Sequence, residues 1–269
     1  MIIYAKLIMF FVSHRVILKG YIGKKHLNRA IEVVLNNPIP DAPKPLAFSI
    51  LRVPFFLEPN YDESKPFEES NRERLVKKWG GTVGWEDQKR RHDLKGRGIE
   101  AGIPHFNLDR LAANTMASHR LIQNLGKKYG LRISEAVYDR LNEYYFVDGF
   151  SLNDRPRMAN VVAELLSTLL ESPPNEQQIL DFLNGDEGRE EIIHALDNLQ
   201  QLGVHGIPKF IVEGRTVVDG AARSDVFIEI FREIEARGDI HGGPIFGKIL
   251  GVSDDIISQG SHLPKDMVA

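Results

Sequence analysis

The chain has 269 residues, 42% hydrophobic and 26% charged, with a net charge of -3 at pH 7; this is the profile of a globular protein with one sizeable core, or a domain carrying a large insertion. So small a charge gives no reason to expect a nucleic-acid or membrane-surface partner. The absence of cysteine excludes disulfides, thiolate metal sites and a cysteine nucleophile, and leaves the redox compartment open.

The opening run "MIIYAKLIMFFVSHRVIL" is divided by Lys6 and followed by His14 and Arg15. It falls short of the ~20 apolar residues that span a bilayer and lacks a small-residue cleavage site. A buried strand over 7–12 fits it better than a signal peptide or an anchor. Leu27, Ala30, Ile31 and Val34 then recur at helical spacing until Pro38 and Pro40 forbid continuation. A second strand follows over 47–53, ending in a proline-punctuated loop. The first ~57 residues thus read as a β-α-β unit with a parallel strand pair and a right-handed crossover.

From Phe67 to Gly203 helical patterns dominate, over 69–79, 108–129, 134–147, 157–170, 176–183 and 187–202. Strands return in "PKFIVEG" and "TVVDG", joined by a tight turn at Glu213-Gly214-Arg215. Ser224 is placed to cap a final helix whose core face is Val226, Phe227, Ile230, Phe231 and Ile234. The remainder is rich in Gly, Asp and Ser and weakly periodic, which predicts a loosely packed tail. The organisation expected is α/β: a discontinuous sheet domain from 1–66 and 204–237, an all-helical insertion over 67–203, and a tail over 238–269.

Four islands in this order carry a resemblance. They are Tyr21-Ile22-Gly23-Lys24-Lys25 with Leu27; Asn114-Thr115 with His119-Arg120-Leu121; Tyr144-Tyr145-Phe146-Val147-Asp148-Gly149 with Leu152-Asn153-Asp154; and Gly203-Val204-His205-Gly206-Ile207-Pro208-Lys209-Phe210 followed by Gly220-Ala221. Together they resemble the DsbA-like branch of the thioredoxin superfamily, the FrnE-like thiol–disulfide oxidoreductases especially. That branch is related to kappa-class glutathione transferases and chromene-carboxylate isomerases. The resemblance implies a thioredoxin-like β-α-β…β-β-α domain with a helical insertion. It also implies a cis peptide bond before Pro208, so that Gly206, Ile207 and Pro208 present backbone to an extended peptide or a small thiol or disulfide substrate.

The same resemblance places a Cys-x-x-Cys directly before Tyr21, where a helix N-terminus stabilises a thiolate for attack on a disulfide. Ile17, Leu18, Lys19 and Gly20 occupy those positions here, and none of them is a nucleophile for dithiol exchange. The expectation is a chain without this chemistry and without a cofactor. The match begins abruptly at Tyr21, so the sequence before it is expected to be an alternative beginning foreign to the active protein. Sequencing the transcript across the Gly20 and Tyr21 codons tests that.

Two other readings keep a place. One is a glutathione-dependent transferase or isomerase using Ser13, which would need an insertion to come into register with Ile17. The other is a non-catalytic peptide-binding homologue. Lys19 and Lys24 read either as attractors of an anionic thiol or carboxylate, or as a solvated face. "KGRGIEAG" has glycines spaced G-x-G-x-x-x-G with no strand before it and reads as a loop between helices, not a dinucleotide site. His92, His105 and His119 lack metal-site spacing. "DQKRRHDLKGR" reads as a solvated basic run, and Trp79 and Trp85 as packing residues. A cytoplasmic location is expected.

Overall fold

The computed structural model describes residues 5–12, 17–55, 62–63, 69–204, 207–243 and 246–264, with the backbone alone for 5–12 and 17. It divides into two compact units. The first comprises Met1–Phe55, Ile122–Ala136 and Gly188–Ala269, and the second Phe56–Leu121 and Val137–Glu187.

The first unit is built on a four-stranded sheet. Strand β1 (Ala5–Val12) pairs in parallel with β2 (Leu46–Val53) and antiparallel with β3 (Lys209–Val212), which pairs antiparallel with β4 (Thr216–Asp219). The order across the sheet is β2-β1-β3-β4. One face is covered by α1 (Ile17–Asn36) and α10 (Ser224–Arg237). Aromatic rings lock this layer: Phe48 lies 5.0 Å from Phe231 and Phe210 lies 4.8 Å edge-on to Phe227, geometries that aromatic pairs favour.

The other face presents Leu51, Val53 and Ile211. They are buried with Leu131, with Ala195 and Leu199 of α9 (Arg189–Gln201), and with Phe246, Leu250, Val252 and Ile257. The expected loose tail is therefore incorrect. Beyond Gly238 the chain buries four apolar side chains, forms α11 (Asp254–Gln259) behind the Ser253 cap, and reaches the outer edge of β2. Phe246, Leu250 and Ile257 fall at helical spacing, but Gly247 and Gly251, the latter at a φ of 64°, keep the segment from forming one amphipathic helix. Its apolar side chains find places in a core built by others.

The expected boundary at residue 203 differs too. The end of α5 (Met116–Tyr129), the start of α6 (Leu131–Phe146) and all of α9 belong to the sheet unit. Ser224 is the first residue of α10 rather than its cap, the N-cap being Arg223 without a side-chain bond. Val226, expected in the core, is exposed, while Phe227, Phe231 and Ile234 are buried.

The second unit is helical in the described residues. It holds α2 (Asn71–Lys78), α3 (Thr82–His92), α4 (Leu94–Glu100), α7 (Arg155–Ser167), α8 (Glu176–Asn184) and the remaining parts of α5 and α6. Reciprocal capping boxes start α2 at Ser70 and Glu73 and α8 at Asn175 and Gln178. Two readings are corrected here. The supposed loop over "KGRGIEAG" is mostly helix α4, whose N-cap Asp93 accepts a bond from the Gly96 N–H at 3.1 Å. The predicted start of a helix at 108 is early by about two turns. Helix α5 begins at Met116, whose N–H donates to Asn114 Oδ1 at 2.8 Å. Trp85 is buried, whereas Trp79 is partly exposed under the Lys78 ammonium.

Candidate functional site

Helix α1 opens at Ile17, so Ile17, Leu18, Lys19 and Gly20 form its first turn. Leu18 and Gly20 are buried and Lys19 is half-buried. A helix N-terminus offers unpaired N–H groups and the positive end of the dipole. Here it is furnished with two aliphatic side chains, a cation and a glycine, with no group that ionises to a thiolate.

The opposite wall of this region comes from the β3–β4 hairpin. The Ile207–Pro208 peptide bond is cis. Pro208 is buried, and its C=O accepts from the Gly220 N–H at 2.8 Å. The side chain of Ile207 packs against the core that holds Ile211 and Val204, which turns its apolar part inward. Among the described residues the Ile207 N–H and C=O take no hydrogen-bond partner. Lys209 anchors the neighbouring strand through a 2.7 Å ion pair with Asp219. Gly206 and Ser13 lie outside the described residues.

Helix α1 meets this hairpin at one point where space decides the residue. A methyl group on Gly23 would stand 3.1 Å from the Phe210 ring and 3.4 Å from the Ala221 backbone. Glycine lets helix and strand approach that closely. The Tyr-Ile-Gly island thus touches the Pro-Lys-Phe and Gly-Ala islands far along the chain.

Below the first turn lies a buried charge cluster that sequence reasoning missed. Lys24, read as an attractor or a solvated residue, is fully buried; its ammonium lies 2.8 Å from Glu135 Oε2 and also donates to Asn28. Arg52, at the end of β2, grips the same carboxylate with two bonds, Nε to Oε1 at 2.6 Å and Nη2 to Oε2 at 2.7 Å. The amide of Gln123 donates to the Arg52 C=O at 2.5 Å. Burial works to raise the pKa of Glu135. The charges of Arg52 and Lys24, the Arg52 hydrogen bonds and the His262 charge more than offset this and hold it at about 2. The cluster was visible in one respect, since Lys24 falls on the apolar stripe of Leu27, Ile31 and Val34. A lysine on such a stripe requires a buried partner.

The helical unit has its own buried cations. Arg120 of α5 donates to the Glu187 and Phe182 carbonyls at 2.7 and 3.1 Å and lies over the Phe182 ring. Arg110 donates to the Asn107 C=O at 2.5 Å and stacks over Tyr145 and Phe146 at 4.6 and 5.0 Å. Burial lowers the pKa of Arg110, while Tyr145 works to raise it. Three residues of the resemblance islands, Arg120, Tyr145 and Phe146, thereby take structural roles in this unit.

No protein-family model and no curated protein matches the sequence. Solved structures do match. A probable DsbA oxidoreductase of Streptomyces coelicolor superposes with a TM-score of 0.66 at 20% identity, covering 89% of this chain and 93% of that one. A candidate protein disulfide isomerase of Nitrosomonas europaea gives 0.56 at 12% identity, over 85% and 97%. The cytosolic disulfide reductase DsbM of Pseudomonas aeruginosa gives 0.50 at 14%, over 84% and 96%. At such identities the likeness speaks for fold alone. The chain has the DsbA-like thioredoxin fold, in α/β form with a large helical content, and it lacks the cysteines of a dithiol redox site.

Proposed function

We propose that this chain is a DsbA-like protein of the FrnE-like branch that binds extended peptide segments beside Ile207–Pro208 and performs no dithiol exchange. One observation carries the reading: the first turn of α1 is Ile17-Leu18-Lys19-Gly20 in a chain without cysteine, while the cis Ile207–Pro208 bond is kept. Ile207 has its side chain in the core and no in-chain partner for its backbone among the described residues. That is how a peptide would be captured as an added strand.

A disulfide-reduction assay on the native chain and on Ile17→Cys/Gly20→Cys tests the proposal. The native chain is expected to give no turnover and the repaired chain a measurable rate. Because Gly20 is buried, Ile17→Cys alone is the second variant. Its thiolate should attack a disulfide-containing peptide, keep one half as a mixed disulfide and release the other as a free thiol, which the native chain cannot do. Folded variants that neither turn over nor trap peptide would overturn the placement of Ile17 and Gly20. A saturable glutathione site on the native chain would replace this reading with the transferase one.

A further inference from the structure

Among the described residues nothing pairs with the outer edge of β4. β4 is the last strand of the sheet, and Thr216, Val217 and Asp219 are exposed. The hairpin register pairs Lys209 with Asp219 and Phe210 with Val218, and the Gly220 N–H donates to the Pro208 C=O. In an antiparallel ladder hydrogen-bonded pairs alternate, so Thr216 and Val218 turn their amides toward β3. The N–H and C=O groups of Val217 and Asp219 then point away from the sheet. Native edges are usually blunted by lysine, proline, a covering segment or brevity. Brevity alone applies here: the strand reads Thr-Val-Val-Asp and carries the half-exposed Val217 at its centre.

The charges at its ends indicate what would cover it. Arg215, exposed and without an ion pair among the described residues, stands at one end, and Asp219 at the other. We propose that the partner is a second copy of this chain, with β4 joined to β4 antiparallel about a two-fold axis at Val217. Each Val217 then exchanges both backbone bonds with its equivalent. The Arg215 end of each strand lies beside the Asp219 end of the other, so opposite charges meet at both ends of the junction. A parallel pairing would set like charges together. An interface this small gives a weak dimer, populated at high protein concentration.

Sedimentation velocity from micromolar to millimolar protein tests this. The native chain should dimerise with rising concentration, less strongly at high salt. Val217→Pro removes the outward N–H, which has no in-chain role, so the monomer should fold and the dimer be lost. Arg215→Glu sets like charges together at both ends and should raise the dissociation constant about tenfold. Adding Asp219→Lys together with Lys209→Asp, which keeps the in-chain ion pair with its signs exchanged, restores opposite signs across the junction and should recover most of that loss. A monomer at every concentration overturns the proposal, as does a dimer indifferent to Val217→Pro. A charge-exchanged variant no better than Arg215→Glu alone overturns the antiparallel arrangement, and an extended peptide seated on β4 of a monomer replaces the second copy as occupant.

Discussion

The two edges of the sheet are finished in opposite ways. At β2 every residue is buried, and the outward groups are taken by the chain itself. The Phe48 N–H donates to the His262 C=O at 2.9 Å, the Phe48 C=O accepts from the Ser261 N–H at 2.7 Å, and the Ile50 N–H donates to Ser261 Oγ at 3.1 Å. At β4 the exposed Val217 and Asp219 point the same kinds of group into solvent. The sheet's hydrogen-bonding capacity is thus closed on the β2 side by a segment more than 200 residues away in sequence. On the β4 side it is left for something outside the chain. The edge that holds the cluster is sealed, and the edge beside the Ile207–Pro208 segment is exposed.

The largest effect should come from breaking the charges that fix β2 at its end. Glu135→Gln leaves Lys24 and Arg52 buried together without their shared carboxylate. Breaking a buried pair from one side costs about 3–5 kcal/mol. Urea unfolding of the variant should show that loss in the midpoint; a loss under about 1 kcal/mol would mean that the cluster is wetter than its burial indicates. The pH dependence follows with a definite sign. Because Glu135 is held at about 2, below its ordinary range, its contribution is complete above the unfolded pKa. It drains away as the pH falls from about 4.3 toward the folded value. Thermal unfolding between these limits should fall more steeply for the native chain than for Glu135→Gln.

The seal on β2 is the next comparison to break. Ser49 Oγ donates to the Ile257 C=O at 2.7 Å, and Ser261 Oγ accepts from Ile50 and donates to the Phe48 C=O at 3.1 Å. Ser261→Ala strands a buried N–H and should cost about 1–3 kcal/mol, read by denaturant unfolding. Amide exchange at Ile50 should accelerate while exchange at Phe210, in the middle of the sheet, stays slow. If both quicken equally, the seal is not a local device.

What the sequence disclosed and concealed follows from range. The β-α-β start, the returning hairpin and α10 were legible because each carries its own period, and Glu213-Gly214 marks its turn by composition. That turn nevertheless holds Glu213 at a φ of 54°, supported by a 2.6 Å ion pair from Arg237 and a bond from the His241 N–H. Those residues lie more than twenty positions later. The tail hides differently: Phe246, Leu250 and Ile257 stand at helical spacing, but Gly247 and Gly251 interrupt any single helix, and the side chains become core only against β2, β3 and α9. The sequence conceals the burial of Lys24 and Arg52 because their counter-charge, Glu135, lies on α6, far along the chain. At the candidate site the reverse holds. Its missing chemistry was legible from composition alone, whereas the approach of Gly23 to Phe210 needed coordinates.

The smallest effect belongs to the open edge, and it sharpens the contrast most. Val217→Thr changes a methyl to a hydroxyl on a half-exposed side chain whose backbone groups face outward. Exposed substitutions of this kind stay within about 0.5 kcal/mol, so dilute protein should unfold at the native midpoint. The same change at β2, Val53→Thr, puts a hydroxyl into a buried position and costs several times more. Concentration then separates an idle edge from a pairing one. If β4 joins a second copy, dimer formation stabilises the native chain by mass action as protein is added, while Val217→Pro stays at its dilute midpoint. Midpoints for the two that move in parallel would mean that β4 is protected by brevity alone. A gap that widens with concentration would show that its free groups are used.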